Sequence, residues 1–112
     1  MNEDYPVFRK GYMILDWILD KCEKFPKSVR FTFSNRISNV GLDILEKVIE
    51  AIYSKNRVNV LISINLLLEK LRVFFRLSFK RRYISFRQYE YISKEINEFG
   101  RMIGGWLRSC EG

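Results

Sequence analysis

The chain has 112 residues, is 47% hydrophobic, and carries 20 Lys and Arg against 13 Asp and Glu, a formal charge of +7. That is enough for one packed domain spanning 1–112, too little for two, and too apolar for a disordered chain. With no histidine and two isolated cysteines, Cys22 and Cys110, most zinc sites and every His-dependent triad are excluded.

The charge is uneven. Residues 1–56 hold 9 basic and 8 acidic side chains, whereas residues 57–112 hold 11 and 5. The excess favours an acidic partner: nucleic acid first, an anionic membrane surface second, an acidic protein third. It places the partner surface on the C-terminal half. A disulfide is not needed in a domain of this size, so the cysteines read as reduced thiols of a cytoplasmic protein. Residues 1–6 are polar and acidic, unlike a signal peptide, and no apolar run reaches the roughly 20 residues of a bilayer span.

The first predicted helix covers about 7–24, with Pro6 suited to its first turn. Gly11, Leu15, Ile18, Cys22 and Phe25 recur at helical spacing and form its inner face. Phe25-Pro26 ends it, because a residue before proline avoids the α region. The second helix begins between residues 28 and 35, where several side chains could cap it, and covers about 31–54. Phe33, Ile37, Val40, Ile44, Val48 and Ile52 make its stripe. The short Lys55-Asn56 link makes helices two and three antiparallel neighbours.

The third helix, about 58–80, has Leu61, Ile64, Leu68, Leu71 and Phe75 on one face. Val60, Leu67, Phe74 and Leu77 widen that face, which suits burial on two sides, one of them against another copy; a merely wide core face is the alternative. Asn59, Ser63 and Asn65 interrupt the apolar run, either fixing register or lying on an exposed strip. Ser85 and Gln88 form a capping box for the fourth helix, about 86–109. Tyr89, Ile92, Ile96, Phe99, Ile103 and Trp106 are its inner face. No period-2 segment appears, so the fold class is all-α, an antiparallel up-down-up-down four-helix bundle.

No catalytic constellation emerges. Glu46 with Glu50, and Glu95 with Glu98, are carboxylate pairs, but a di-iron bundle also needs histidines. They read as surface charge, and the expectation is no enzyme, no metal and no cofactor. Arg72, Arg76 and Lys80 stack along one face at four-residue spacing. Arg81, Arg82 and Arg87 continue the charge through the turn. This row suits a phosphate backbone, with Tyr83, Phe86 and Tyr91 near enough to stack on bases; a solvated helix face is the plain alternative. Gly100 and Gly104 are four apart and, with Trp106, mark close packing inside the bundle or across a subunit contact, with a frayed C-terminal end as the alternative. Leu61, Ile64, Leu68 and Phe75 are read as packing or oligomer positions with them.

Several stretches match a known pattern. Phe25-Pro26-Lys27-Ser28, Arg30-Phe31-Thr32 and Arg36-Ile37 resemble the first interhelical link of a family of small four-helix-bundle proteins. That family includes proteins encoded in intervening sequences of large-subunit rRNA genes, and Avd, the accessory variability determinant of diversity-generating retroelements. Leu68-Glu69-Lys70-Leu71-Arg72, Gln88-Tyr89-Glu90, Ile92-Ser93 and the run from Gly100-Arg101-Met102-Ile103 to Gly104-Gly105-Trp106-Leu107 resemble Avd in particular. Relatives commonly carry an acid where Val29 stands, which removes a salt bridge from the link.

The resemblance implies a non-enzymatic protein assembling as a ring-like homopentamer. It implies binding to a reverse transcriptase and to nucleic acid, in support of mutagenic cDNA synthesis from template RNA. Arg72, Arg76 and Lys80 would carry the basic surface; RNA, DNA or a hybrid would each satisfy the charge. The alternative within the same fold is a stand-alone protein of the rRNA intervening-sequence type, with a structural role and no polymerase partner.

Overall fold

The second predicted helix, about 31–54, opens as a π-helical turn rather than as regular α-helix, and a one-turn helix precedes it. The computed structural model describes residues 5–111; the rest of the acidic start and residue 112 lie outside. Helix α1 spans Pro6–Cys22, α2 is the single turn Lys27–Val29, and a π-helical turn Arg30–Ser34 leads into α3, Asn35–Tyr53. Helices α4, Arg57–Lys80, and α5, Phe86–Glu111, complete the chain. The four long helices pack as a square, α1 beside α3, α3 beside α4, α4 beside α5 and α5 beside α1, in a body of 45 × 22 × 22 Å.

The expected inner faces form the core. Ile18, Ile37, Val48, Leu61, Ile64, Leu68, Leu71, Phe75, Ile92, Ile96, Phe99 and Ile103 are all buried. Two glycines let helices approach. A Cβ on Gly41 would sit 3.0 Å from Leu15 Cδ1, and one on Gly11 would sit 3.3 Å from Phe99 Cε1. At both positions a methyl group would oblige the neighbouring side chain to give way by a few tenths of an ångström.

Helix ends differ from expectation in instructive ways. No side chain caps α2 or α3. Ser34, a candidate cap, is buried and donates instead to the Cys22 carbonyl at 2.9 Å, tying the π-turn to α1. Arg30 Nε donates to the Phe25 carbonyl at 3.0 Å, so the link is held without an acid at position 29. The capping box forms as expected: Gln88 N donates to Ser85 Oγ at 3.1 Å, and Ser85 N donates to Gln88 Oε1 at 2.8 Å.

At the far end, Arg57 donates to the Ala51 and Ile52 carbonyls at 2.8 and 3.1 Å and lies 5.6 Å over the Trp106 ring. A cation there satisfies the free carbonyls of α3 and complements its dipole. Glu95 and Glu98 are not simple surface charges. Both pair with Lys10 across the α1–α5 contact, Glu98 at 3.2 Å. Asn59 and Asn65 are exposed and Ser63 is half-buried, which places them on the outer strip. Cys22 is buried near one end of the bundle and Cys110 exposed near the other.

Candidate nucleic-acid interface

The basic end is built by how α4 stops. Arg82 N donates to the Phe79 carbonyl at 2.9 Å and Tyr83 N to the Ser78 carbonyl at 2.8 Å, with Arg82 at φ 64°. This is a Schellman closure, and its left-handed position is normally glycine. An L side chain there costs about 1–2 kcal/mol. Arg82 is the one non-glycine residue at positive φ among the described residues. Arg87 lies in the first turn of α5, where the helix dipole disfavours a cation. Two arginines thus sit where local backbone energetics oppose them.

The predicted basic residues divide into two kinds. Arg76, Lys80, Arg81, Arg82 and Arg87 are exposed, and their side chains have no charged or hydrogen-bonding partner among the described residues. Arg72 is different. Its Nε donates to Asn97 Oδ1 at 3.1 Å, and its Nη1 pairs with Glu69 at 3.2 Å. It therefore fastens α4 to α5, and the row it was expected to lead starts at Arg76.

A second segment joins this end. Rings of Phe25, Phe33, Phe74 and Tyr83 contact one another at 5.5–6.5 Å. The cluster brings residues 27–36 against the end of α4. Lys27, Arg30 and Arg36 thereby come to the same end as Arg76, Lys80, Arg81, Arg82 and Arg87, and neither 27–36 nor 76–87 contains an acid, although Glu23 shares a groove with Arg30 and Glu69 one with Arg76. Asp20, in the last turns of α1, is paired with Lys21 and Lys24 at 3.0 and 3.4 Å. The hydrogen bond and charge of Lys21 hold its carboxyl below the usual range. Sequence reading missed Lys27, Arg30 and Arg36 because some 40 residues separate the segments. The available signal was their shared make-up, basic and aromatic without acids.

The aromatics also sort differently. Tyr83 is spent in the ring cluster, and Tyr91 lies 5.7 Å from Trp17 on the α1–α5 side. Phe86 stays exposed, with its ring 5.7 Å from Phe79. Phe31, not singled out for stacking, is 91% exposed on the π-turn.

Leu61, Ile64, Leu68 and Phe75 are buried in the chain's own core, so they serve as packing within the bundle. The outward side of α4 instead exposes Ile62 (52%), Leu66 (60%), Val73 and Leu77. Gly100 lies under Arg72, whose Nη2 would be 3.0 Å from an added Cβ. A Cβ on Gly104 would meet only Arg108, at 3.5 Å, among the described residues, so no neighbouring helix requires this glycine. Trp106 is half-buried beneath Arg57.

Among the described residues no group of three or more His, Cys, Asp or Glu is placed to hold a metal, and no helix is long and apolar enough to cross a membrane. What this end offers chemically is a dense cationic surface with accessible aromatic faces, suited to a polyanion.

A family model described as bAvd-like matches residues 7–110. No curated protein matches the chain. Among solved structures, a protein of unknown function from the S23 ribosomal protein family of Bacteroides thetaiotaomicron superposes with a TM-score of 0.83 at 19% identity, covering 90% of this chain and 97% of that one. The likeness is one of fold.

Proposed function

The chain belongs to the bAvd-like family, a family of Avd-type accessory proteins, and on that premise we propose a non-enzymatic bundle that binds nucleic acid at its basic end in support of a reverse transcriptase. The observation that carries this reading is the excess of cations at one end: residues 27–36 and 76–87 contain no acid, and the acids near them include Asp20, Glu23 and Glu69. Eight cations from two distant segments converge there, one of them on a strained backbone position. Solvation alone gives no reason for such convergence, whereas phosphate binding does.

The reading includes mutagenic cDNA synthesis from template RNA as the process served, and the cytoplasm as its place. It also includes a homo-oligomer, a pentamer by family resemblance, formed through the exposed α4 stripe around Ile62 and Leu66. A ring would gather the basic ends of several copies into one field.

The test is RNA affinity as a function of salt for the Arg76→Ala, Lys80→Ala, Arg81→Ala triple variant. Loss of three phosphate contacts should flatten the log–log salt dependence by about 2. An unchanged slope would remove these residues from the interface. Solution mass by light scattering tests assembly: an oligomer that Leu66→Glu dissociates is expected, and a monomeric parent protein overturns it. Co-purification with a reverse transcriptase encoded beside the gene tests the partner. An rRNA intervening sequence around the gene, without a polymerase, would favour the stand-alone alternative.

A further inference from the structure

Phe31 is almost wholly exposed, although an aromatic ring of that size usually contributes to a core. Its neighbours on the π-turn, Phe33 and Ser34, are directed inward: Phe33 into the ring cluster, Ser34 onto the Cys22 carbonyl. The turn therefore has firm internal anchors on both α1 and α4, and Phe31 stands out from an anchored base. π-turns of this kind often occur at functional sites. Beside it lies a groove lined by Phe31, Thr32, Phe33, Asn35, Arg36 and Phe74. Its lining combines three aromatic rings with the polar side chains of Thr32 and Asn35 and the cation of Arg36.

We propose that Phe31 is a stacking platform for an unpaired base, and that the groove beside it takes single-stranded nucleic acid. The inference rests on the nucleic-acid reading above and adds to it the form of the ligand. The argument is one of complementarity. Arg36, which lines the groove, and Lys27 and Arg30 on the platform's own segment call for anions. Phe31 calls for a flat, apolar face. Single-stranded nucleic acid carries both at once. A duplex satisfies the cations but hides its base faces in the stack, which leaves Phe31 unused. An acidic protein satisfies the charge, but it brings no row of free flat faces to match the ring. Sequence preference should be weak, because every base has a π-face and stacking on it does not read base edges; Thr32, Asn35 and Arg36 are the polar groups that could add a preference.

The test uses the full chain and one labelled RNA sequence, presented as a single strand and as a duplex. The parent protein should prefer the single strand. Phe31→Ala should weaken single-strand binding about 5- to 150-fold while leaving duplex binding unchanged. Phe31→Trp should restore the affinity, and its fluorescence should be quenched by the bound base. An exposed position makes misfolding of the alanine variant a small concern, and circular dichroism checks it. Single-strand binding unchanged in Phe31→Ala, alongside a triple-variant defect, overturns the platform and leaves the basic interface standing. Equal loss on single strand and duplex also overturns it. Failure of the parent protein to bind either RNA overturns both readings. Loss of polymerase capture without loss of RNA binding would reassign Phe31 to a protein contact.

Discussion

Arg72 reaches across from α4 to α5 and donates from Nε to Asn97 Oδ1 at 3.1 Å, over a glycine that leaves room for its guanidinium. This bond makes Arg72 part of the scaffold. Arg72→Ala should lower unfolding free energy by about 0.5–1.5 kcal/mol. Arg76→Ala and Lys80→Ala, with no partner to lose, should leave stability within about 0.5 kcal/mol. Urea denaturation of the three variants checks this. Equal stability for all three would show that the Asn97 bond contributes nothing.

Arg82 should display opposite signs in two assays. Arg82→Gly relieves the left-handed strain and should raise stability by about 0.5–1 kcal/mol, the gain being reduced by the extra freedom of glycine in the unfolded chain. The same variant should bind RNA more weakly, because one cation leaves the basic end. Thermal unfolding and a binding titration on one protein sample give both readouts. A variant that is less stable would mean that the Arg82 side chain makes a stabilising contact.

Gly41 should accept a methyl group only at a cost. The added Cβ would lie 3.0 Å from Leu15 Cδ1 and 3.4 Å from Ile18 Cδ1, both in the core. Overpacking of this kind costs about 1–3 kcal/mol, and better helix propensity returns about 1 kcal/mol. Gly41→Ala should therefore destabilise by about 1 kcal/mol. Gly104→Ala, which meets only the end of Arg108, should stabilise by up to about 1 kcal/mol. Parallel denaturation curves decide, and a reversed order would contradict the packing described.

Lys10 gives the α1–α5 contact a pH signature. Burial works to lower its pKa, but hydrogen bonds and charge from Glu95 and Glu98 outweigh it and raise the pKa above the ordinary 10.5. The folded state thus holds this proton more tightly than the unfolded state. The resulting stability is fully present below about pH 10.5 and is lost as pH rises through the raised folded value. Glu95 Oε2 is buried and makes no hydrogen bond beyond this ion pair among the described residues. Lys10→Met should therefore cost about 1–3 kcal/mol at neutral pH. The gap between variant and parent should narrow above about pH 10.5. Denaturation at a series of pH values measures it, and a gap that widens above that pH would reverse the sign.

Some of this was legible before any tertiary contact was known. Ile92, Ile96, Phe99 and Ile103 are buried as their spacing required, because a helix brings residues three and four apart onto one face whatever it packs against. The Ser85–Gln88 box was equally legible, being a contact within one turn. The positive excess around 76–87 was plain from residue type alone.

What only the tertiary structure decided was which charges are free and what stands beside them. Arg72 and Arg76 look alike in sequence, four apart on one helix. Asn97, 25 residues away from Arg72, is what separates them, by holding one and not the other. Phe31 and Phe33 are two residues apart and equally apolar, yet the π-turn sends one into the rings of Phe74 and Tyr83 and leaves the other in water. Helical periodicity is a local property that the chain carries within itself. The gathering of residues 27–36 and 76–87 into one basic, aromatic end depends on contacts between segments distant in sequence, and only folding brings them together.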